Sequence, residues 1–300
     1  MTRILAAVLL VAFAGPAQEP TFKVDVRLVR LTATVKNDEG RPVGGLNKED
    51  FSLTDNGVRQ TITLFERHTA QPLSVTLLVD ASGSVGKEMR YQTDAVTKFL
   101  RALFREGNPD DAAALLTFNW QVQEHVPFSR NVGRFERELK KLRGQAGTSL
   151  YDGIYLAAER IEEREGRRVL IVVTDGADTV STKNYHDALR AAHGADTVVY
   201  GILAVPITND AGRQLGGEHA LYGIARSTGG RMFTPGVKNL DVAFDEILRD
   251  LRTQYLIGYY PKDTPLTKDP FHRIEIGVAN PQLRVVSRTG YYGEALSSGR

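Results

Sequence analysis

Apolar residues along the first part of the chain recur at every second position. Phe22, Val24, Val26 and Leu28 form one series, and Val29, Leu31, Ala33 and Val35 form another on the opposite parity. Period-two alternation predicts half-buried strands, and the parity switch between Leu28 and Val29 predicts a bulge or a break. Phe51 and Leu53 lead into Asp55-Asn56-Gly57, with Ile62 and Leu64 beyond it. Asn-Gly between such runs predicts a hairpin, because both central residues of that turn take positive φ. Residues 18–71 therefore read as an N-terminal β segment, with Gln71-Pro72 as its boundary.

The pattern then changes. Short continuous apolar runs at 74–79, 112–118, 168–174 and 197–205 read as strands buried on both faces. Between them the spacing is helical. Val96, Phe99, Leu100 and Leu103 mark a helix over 87–104, and Val132, Phe135, Leu139 and Leu142 mark another. Ile154, Ala157, Ala158 and Ile161 mark a third, and further helices fall at 185–193, 221–227 and 240–251. In the last of these Val242, Phe244, Ile247, Leu248 and Leu251 are expected to face inward. Residues 122–126 form a hairpin with the preceding strand, and 231–234 form a short edge strand. Strands alternating with helices over residues 72–254 predict an α/β domain with a doubly wound, mostly parallel sheet.

Residues 255–300 return to β patterns, at 255–260, at Ile274, Ile276 and Val278, at 283–286 and at Tyr291-Tyr292. These strands are too few to stand alone, and so are those of 18–71. The two ends are expected to combine into a small β-sandwich in which the α/β domain is inserted.

Composition adds limits rather than an assignment. In 300 residues, 42% hydrophobic and 25% charged content supports a real core. A net charge of +2 without a basic stripe gives no nucleic-acid footprint. The absence of cysteine excludes disulfides and thiolate metal sites. Arg3, an apolar run over 4–14 and Gly15-Pro16-Ala17 read as a signal peptide over 1–17, cut after Ala17 or Ala14. The run is short for a membrane span. An exported protein, periplasmic or extracellular, is the expectation.

The chemistry sits where buried strands end. The first strand runs into Asp80-Ala81-Ser82-Gly83-Ser84. Thr148 precedes a helix, and Asp175 ends another buried strand. If those strands are parallel neighbours, these oxygen side chains share the sheet edge at which open α/β sheets bind ligands. Two carboxylates and three hydroxyls suit a hard divalent cation, Mg²⁺ first, with Mn²⁺ or Ca²⁺ as alternatives. At these positions the sequence resembles the von Willebrand factor type A domain over about residues 70–255. The metal-ion-dependent adhesion site of that family reads Asp-x-Ser-x-Ser, then a distant Thr and a distant Asp, matched by Asp80, Ser82, Ser84, Thr148 and Asp175. The layout, with Glu49-Asp50-Phe51 and Tyr259-Tyr260-Pro261, also resembles secreted bacterial relatives of that family.

The resemblance implies a non-enzymatic module whose metal accepts an Asp or Glu from a partner protein. A glycine-rich loop over 206–218 places Asn209, Asp210 and Arg213 as partner-binding candidates. Trp120 reads as a hairpin packing residue, Asp152 as a helix cap, and Asp178 as a support for the five ligands. Two other readings stay open: a metal-assisted hydrolase or phosphotransferase, which lacks a recognisable base or nucleophile, and a purely structural ion. Gly83-Ser84-Val85-Gly86-Lys87 is no P-loop, since Ala81 and Glu88 occupy the required Gly and Ser/Thr positions. No Gly-x-Gly-x-x-Gly follows a strand, and the six histidines show no metal spacing.

Overall fold

The computed structural model describes residues 28–67, 70–83, 89–176, 178–204, 215–235, 239–264 and 270–293. The N-terminal strands are β1 (Val29–Lys36), β2 (Phe51–Asp55), β3 (Val58–Arg59) and β4 (Leu64–Glu66). The α/β unit follows as β5 (Leu73–Asp80), α1 (Met89–Glu106), β6 (Ala112–Phe118), β7 (Val122–Ser129), α2 (Val132–Leu139) and α3 (Leu150–Glu162). It continues as β8 (Arg167–Thr174), α4 (Tyr185–Gly194), β9 (Thr197–Leu203), α5 (Leu215–Ser227), β10 (Met232–Phe233) and α6 (Leu240–Arg252). The chain then returns to strands, β11 (Tyr255–Tyr259), β12 (Phe271–Val278), β13 (Arg284–Ser287) and β14 (Gly290–Tyr292).

The central sheet has the order β10-β9-β8-β5-β6-β7, parallel except for the antiparallel β6–β7 hairpin. All eight residues of β5 are buried, as its unbroken apolar run requires. Val75, Leu77 and Val79 pack with α1, α2 and α6 on one face, and Leu78 packs with α3, α4 and α5 on the other. From β5 the chain passes to β6 on one side and later returns to β8 on the other. The loops after β5 and β8 lead to helices on opposite faces, so the order reverses at the C-terminal end of β5. A crevice at such a reversal is where open α/β sheets take ligands.

The two chain ends do combine. One small antiparallel sheet has the order β13-β1-β11-β4 and the other β14-β12-β2-β3. Leu31, Ala33, Val35, Phe51, Leu53, Tyr255, Ile257, Tyr259 and Ile274 fill the space between them. The β2–β3 turn carries Asn56 at φ 49° and Gly57 at φ 80°, as Asn-Gly predicts. The sandwich is tied to α6 through Lys36, whose ammonium lies 2.8 Å from Asp250 while Arg231 donates to the same carboxylate at 2.9 Å. Burial lowers the Lys36 pKa, and the contact with Asp250 opposes that shift.

Two expectations are corrected. Val242 is 53% exposed, because Ala243 takes the core position beside Phe244. Helix α5 begins at Leu215 rather than at 221, so Gly216, Gly217 and Glu218 are helical. The expected strand over 22–28 and the signal segment lie outside the described residues, apart from Leu28.

Helix α4 meets the sandwich through His193. This ring is buried, lies 2.9 Å from Ser227 Oγ through Nε2, and is met edge-on by Phe271 and Tyr292. Burial, then the nearby Arg288 charge, pushes its pKa down to about 4. Above pH ~6.5 both folded and unfolded states hold a neutral ring, so stability is at its plateau. Between pH ~6.5 and about 4 only the unfolded chain takes the proton, and stability falls with pH by about 3 kcal/mol in all. Urea unfolding at steps across that window checks this. A His193→Gln variant is expected to lose most of the slope, and an unchanged slope counts against the assignment.

Candidate metal centre at the sheet edge

Asp80 is the last residue of β5 and is fully buried. Its Oδ1 accepts the Ser82 backbone N–H at 2.8 Å, and its Oδ2 accepts the Thr174 hydroxyl at 2.7 Å. Desolvation pushes its pKa up to about 6, against the hydrogen bonds from Thr174 and Ser82 and with a contribution from the Asp175 charge. Thr174 ends β8, which pairs directly with β5, so Asp175 leaves the neighbouring strand beside Asp80. Gly176 then turns the chain at φ 90°, with the Glu218 side chain packed where a β-carbon would stand.

Thr148 reaches the same edge by a different route. The segment before it lies along the end of β5: Gln145 N donates to Ala81 O, and Gln145 bridges Ser82. Ser149 N donates to Asn119 O beyond β6. Thr148 itself is buried, with its N–H on Thr179 Oγ1 at 2.9 Å and its carbonyl taking the Thr179 and Val180 N–H groups. Asp80, Ser82, Thr148 and Asp175 thus lie at the same end of the central sheet. Ser84, Asn209, Asp210 and Arg213 lie outside the described residues.

The loop after β8 anchors α3 behind Thr148. Asp178 Oδ1 accepts from Leu150 N at 2.8 Å and from Ser181 Oγ, capping the helix with its first N–H groups. Asp152 lies in the first turn of α3, where the helix dipole favours it, and its carboxylate accepts Thr182 N and Lys183 N, pinning the outgoing loop.

Trp120 corrects another expectation. It sits in the β6–β7 turn with 58% of its surface exposed, so it is not a packing residue. Its Nε1–H donates to Gln145 Oε1 at 3.2 Å. Gly147 has φ 81°, and a β-carbon there would stand 3.0 Å from that of Trp120. Only glycine suits this close approach beside Thr148. Thr174 and Gln145 are the contributors to the edge that the motif did not reveal. Neither belongs to the motif spacing, and both act through pairings visible only once β5, β6 and β8 are aligned.

Among the described residues no group of three or more His, Cys, Asp or Glu side chains is placed to hold a metal ion. The donor set still fits a hard cation. It contains oxygen atoms alone, and Asp80 is a buried anion without a cationic side chain within ion-pair distance among the described residues.

The fold and this edge define an open α/β protein with oxygen side chains gathered at its topological reversal. Residues 75–177 match the family model of the von Willebrand factor type A domain. Over these residues, fewer than half of the chain, the protein carries the pattern of that family. No curated protein matches it. It is similar to the vWF domain of the type V pili tip protein Mfa5 from Porphyromonas gingivalis, at 13% identity and TM-score 0.51, over 60% of this chain and 94% of that one. It is also similar to the pilus adhesin SpaC from Lactobacillus rhamnosus GG in its open conformation, at 11% identity and TM-score 0.51, over 86% of this chain and 48% of that one. The conserved hypothetical protein BatB from Bacteroides thetaiotaomicron aligns at 16% identity and TM-score 0.46, over 60% of this chain and all of that one. At these identities the likeness is one of fold.

Proposed function

We propose that this chain is a metal-dependent protein-binding module of the adhesion type. Asp80, Ser82, Thr148 and Asp175, with Ser84, would hold one divalent cation, Mg²⁺ before Mn²⁺ or Ca²⁺. When bound, the ion supplies a positive centre that prefers an anionic ligand, here an Asp or Glu side chain of a partner protein. The observation that carries this reading is Asp80: a fully buried carboxylate at the sheet's reversal point, aimed by Ser82 and Thr174. Burying an unpaired charge costs several kcal/mol, and a cation at that edge offsets the cost. The pilus-tip and adhesin descriptions of two structural neighbours are consistent with this class. Asn209, Asp210 and Arg213 would line the partner face from the loop before α5. We read the protein as exported through residues 1–17, and no helix among the described residues is long and apolar enough to cross a membrane.

The test is calorimetric titration of the purified chain with MgCl₂. Thr148→Ala is expected to weaken Mg²⁺ binding by at least about tenfold. Equal affinity in wild type and variant removes Thr148 from the site, and absence of binding in the wild type defeats the whole reading.

A further inference from the structure

A second feature lies beside the proposed metal edge. A cavity of about 430 Å³ opens between the start of α1 and the end of α2, lined by Arg90, Asp94, Lys140, Leu142, Arg143 and Gly144 among others. Three cations face one anion. The neighbouring cations are already paired, Arg101 with Glu136 and Lys141 with Glu138. Arg90, Lys140 and Arg143 form no ion pair with a described residue, and Arg143 Nη1 donates to the carbonyls of Lys140 and Leu142 just beyond α2. Lys140 and Arg143 come from one short stretch and Arg90 joins them from about fifty residues earlier in the chain.

The cavity and the metal edge share a wall. Gly144 lines the cavity, and the next residue, Gln145, bridges Ser82. One peptide step plus one strand spacing places the Gly144 and Ser82 backbones within about 9 Å of each other. Same-face side chains of an extended peptide, at i and i+2, are about 7 Å apart. Two acidic side chains a few residues apart in one extended segment can therefore reach both sites.

We infer that the cavity between α1 and α2 receives a second acidic side chain of the same partner, so that the ligand is an extended acidic segment with carboxylates close together in sequence, of which alternate positions are the spacing tested. This rests on the metal-dependent reading for the first carboxylate, while the cavity's own contribution is electrostatic and separate. Exposed charge pairs are individually weak, but three cations converging on one cleft select strongly by sign.

The experiment uses two fluorescein-labelled peptides of equal length built on Ser and Gly. One has a single Glu and the other has Glu at i, i+2 and i+4. Anisotropy is read with Mg²⁺ and with EDTA, for the full chain and for Arg90→Glu/Lys140→Glu. The alternating peptide is expected to bind about tenfold more tightly than the single-Glu peptide. The double variant is expected to erase that ratio, and Arg90→Gln/Lys140→Gln, gentler on the end of α2, to reduce it. No preference for the alternating peptide, or a preference indifferent to both double variants, overturns the inference. An oligothymidylate of equal charge that binds as tightly as the alternating peptide overturns the peptide assignment. A preference that survives EDTA and still answers to the variants leaves the cavity standing while the metal reading falls.

Discussion

Asp55→Ala is expected to lose about 4 kcal/mol of stability, concentrated in the sandwich. Asp55 ends β2 and is fully buried. Its Oδ2 accepts the Tyr259 hydroxyl at 2.8 Å and the Tyr291 hydroxyl at 3.1 Å, and its Oδ1 faces His272 Nδ1 at 2.9 Å. A carboxylate acceptor at that distance means that Nδ1 carries the proton. Tyr259 belongs to β11 in one small sheet, whereas Asp55, His272 and Tyr291 belong to β2, β12 and β14 in the other. One carboxylate therefore ties the two layers and both ends of the chain. Truncation strands the wholly buried Tyr259 hydroxyl and the His272 N–H, each at about 1–3 kcal/mol. Asp55→Asn keeps an acceptor for part of the cluster and is expected to fall about midway. Trp120, the single tryptophan, reports on the α/β unit, so tyrosine near-ultraviolet signal lost ahead of tryptophan fluorescence in urea would show the damage to be local. A loss below about 1 kcal/mol would mean that the cluster is not what fastens the layers.

What was legible in the sequence divides along physical lines. Period gave the elements: β5 could be read because an unbroken apolar run has few alternatives, and the turn at Asn56-Gly57 because its backbone needs positive φ. Asp80 and Asp175 were legible as edge residues because each directly follows such a run. The Asp55 cluster was hidden, since an Asp beside Asn-Gly looks like turn chemistry, and its partners lie more than two hundred residues away. Trp120 was misread for a related reason. An indole in a hairpin looks like packing until the strand pairing shows which side of the turn faces water. Helix α5 begins earlier than its pattern predicts because Gly216-Gly217 mimics a loop, yet Gly217 and Glu218 are buried. Local pattern carried each element well, while the contacts that tie elements together depended on tertiary placement.

That division bears on the metal edge, where Asp80→Asn is expected to separate function from stability. In the wild type the buried carboxylate holds the Ser82 N–H on one oxygen and the Thr174 hydroxyl on the other. The amide keeps an oxygen for one donor and turns its NH₂ against the second, at a cost of about 1–3 kcal/mol. It also removes an uncompensated buried charge, which returns an amount of similar size. Without metal, the variant should therefore unfold within about 1 kcal/mol of wild type. With metal the two should diverge. Loss of a charged ligand is expected to weaken Mg²⁺ binding by at least about a hundredfold, or about 2.7 kcal/mol. At Mg²⁺ near a hundred times its dissociation constant, wild type gains about 2.7 kcal/mol by linkage, and the variant gains well under 1 kcal/mol. Thermal unfolding with and without MgCl₂ reads both quantities in one series. A variant that Mg²⁺ stabilises as much as wild type would place the ion elsewhere. A variant that fails to fold without metal would mean that Asp80 serves the sheet rather than the cation, and the partner's carboxylate would then have no positive centre to find.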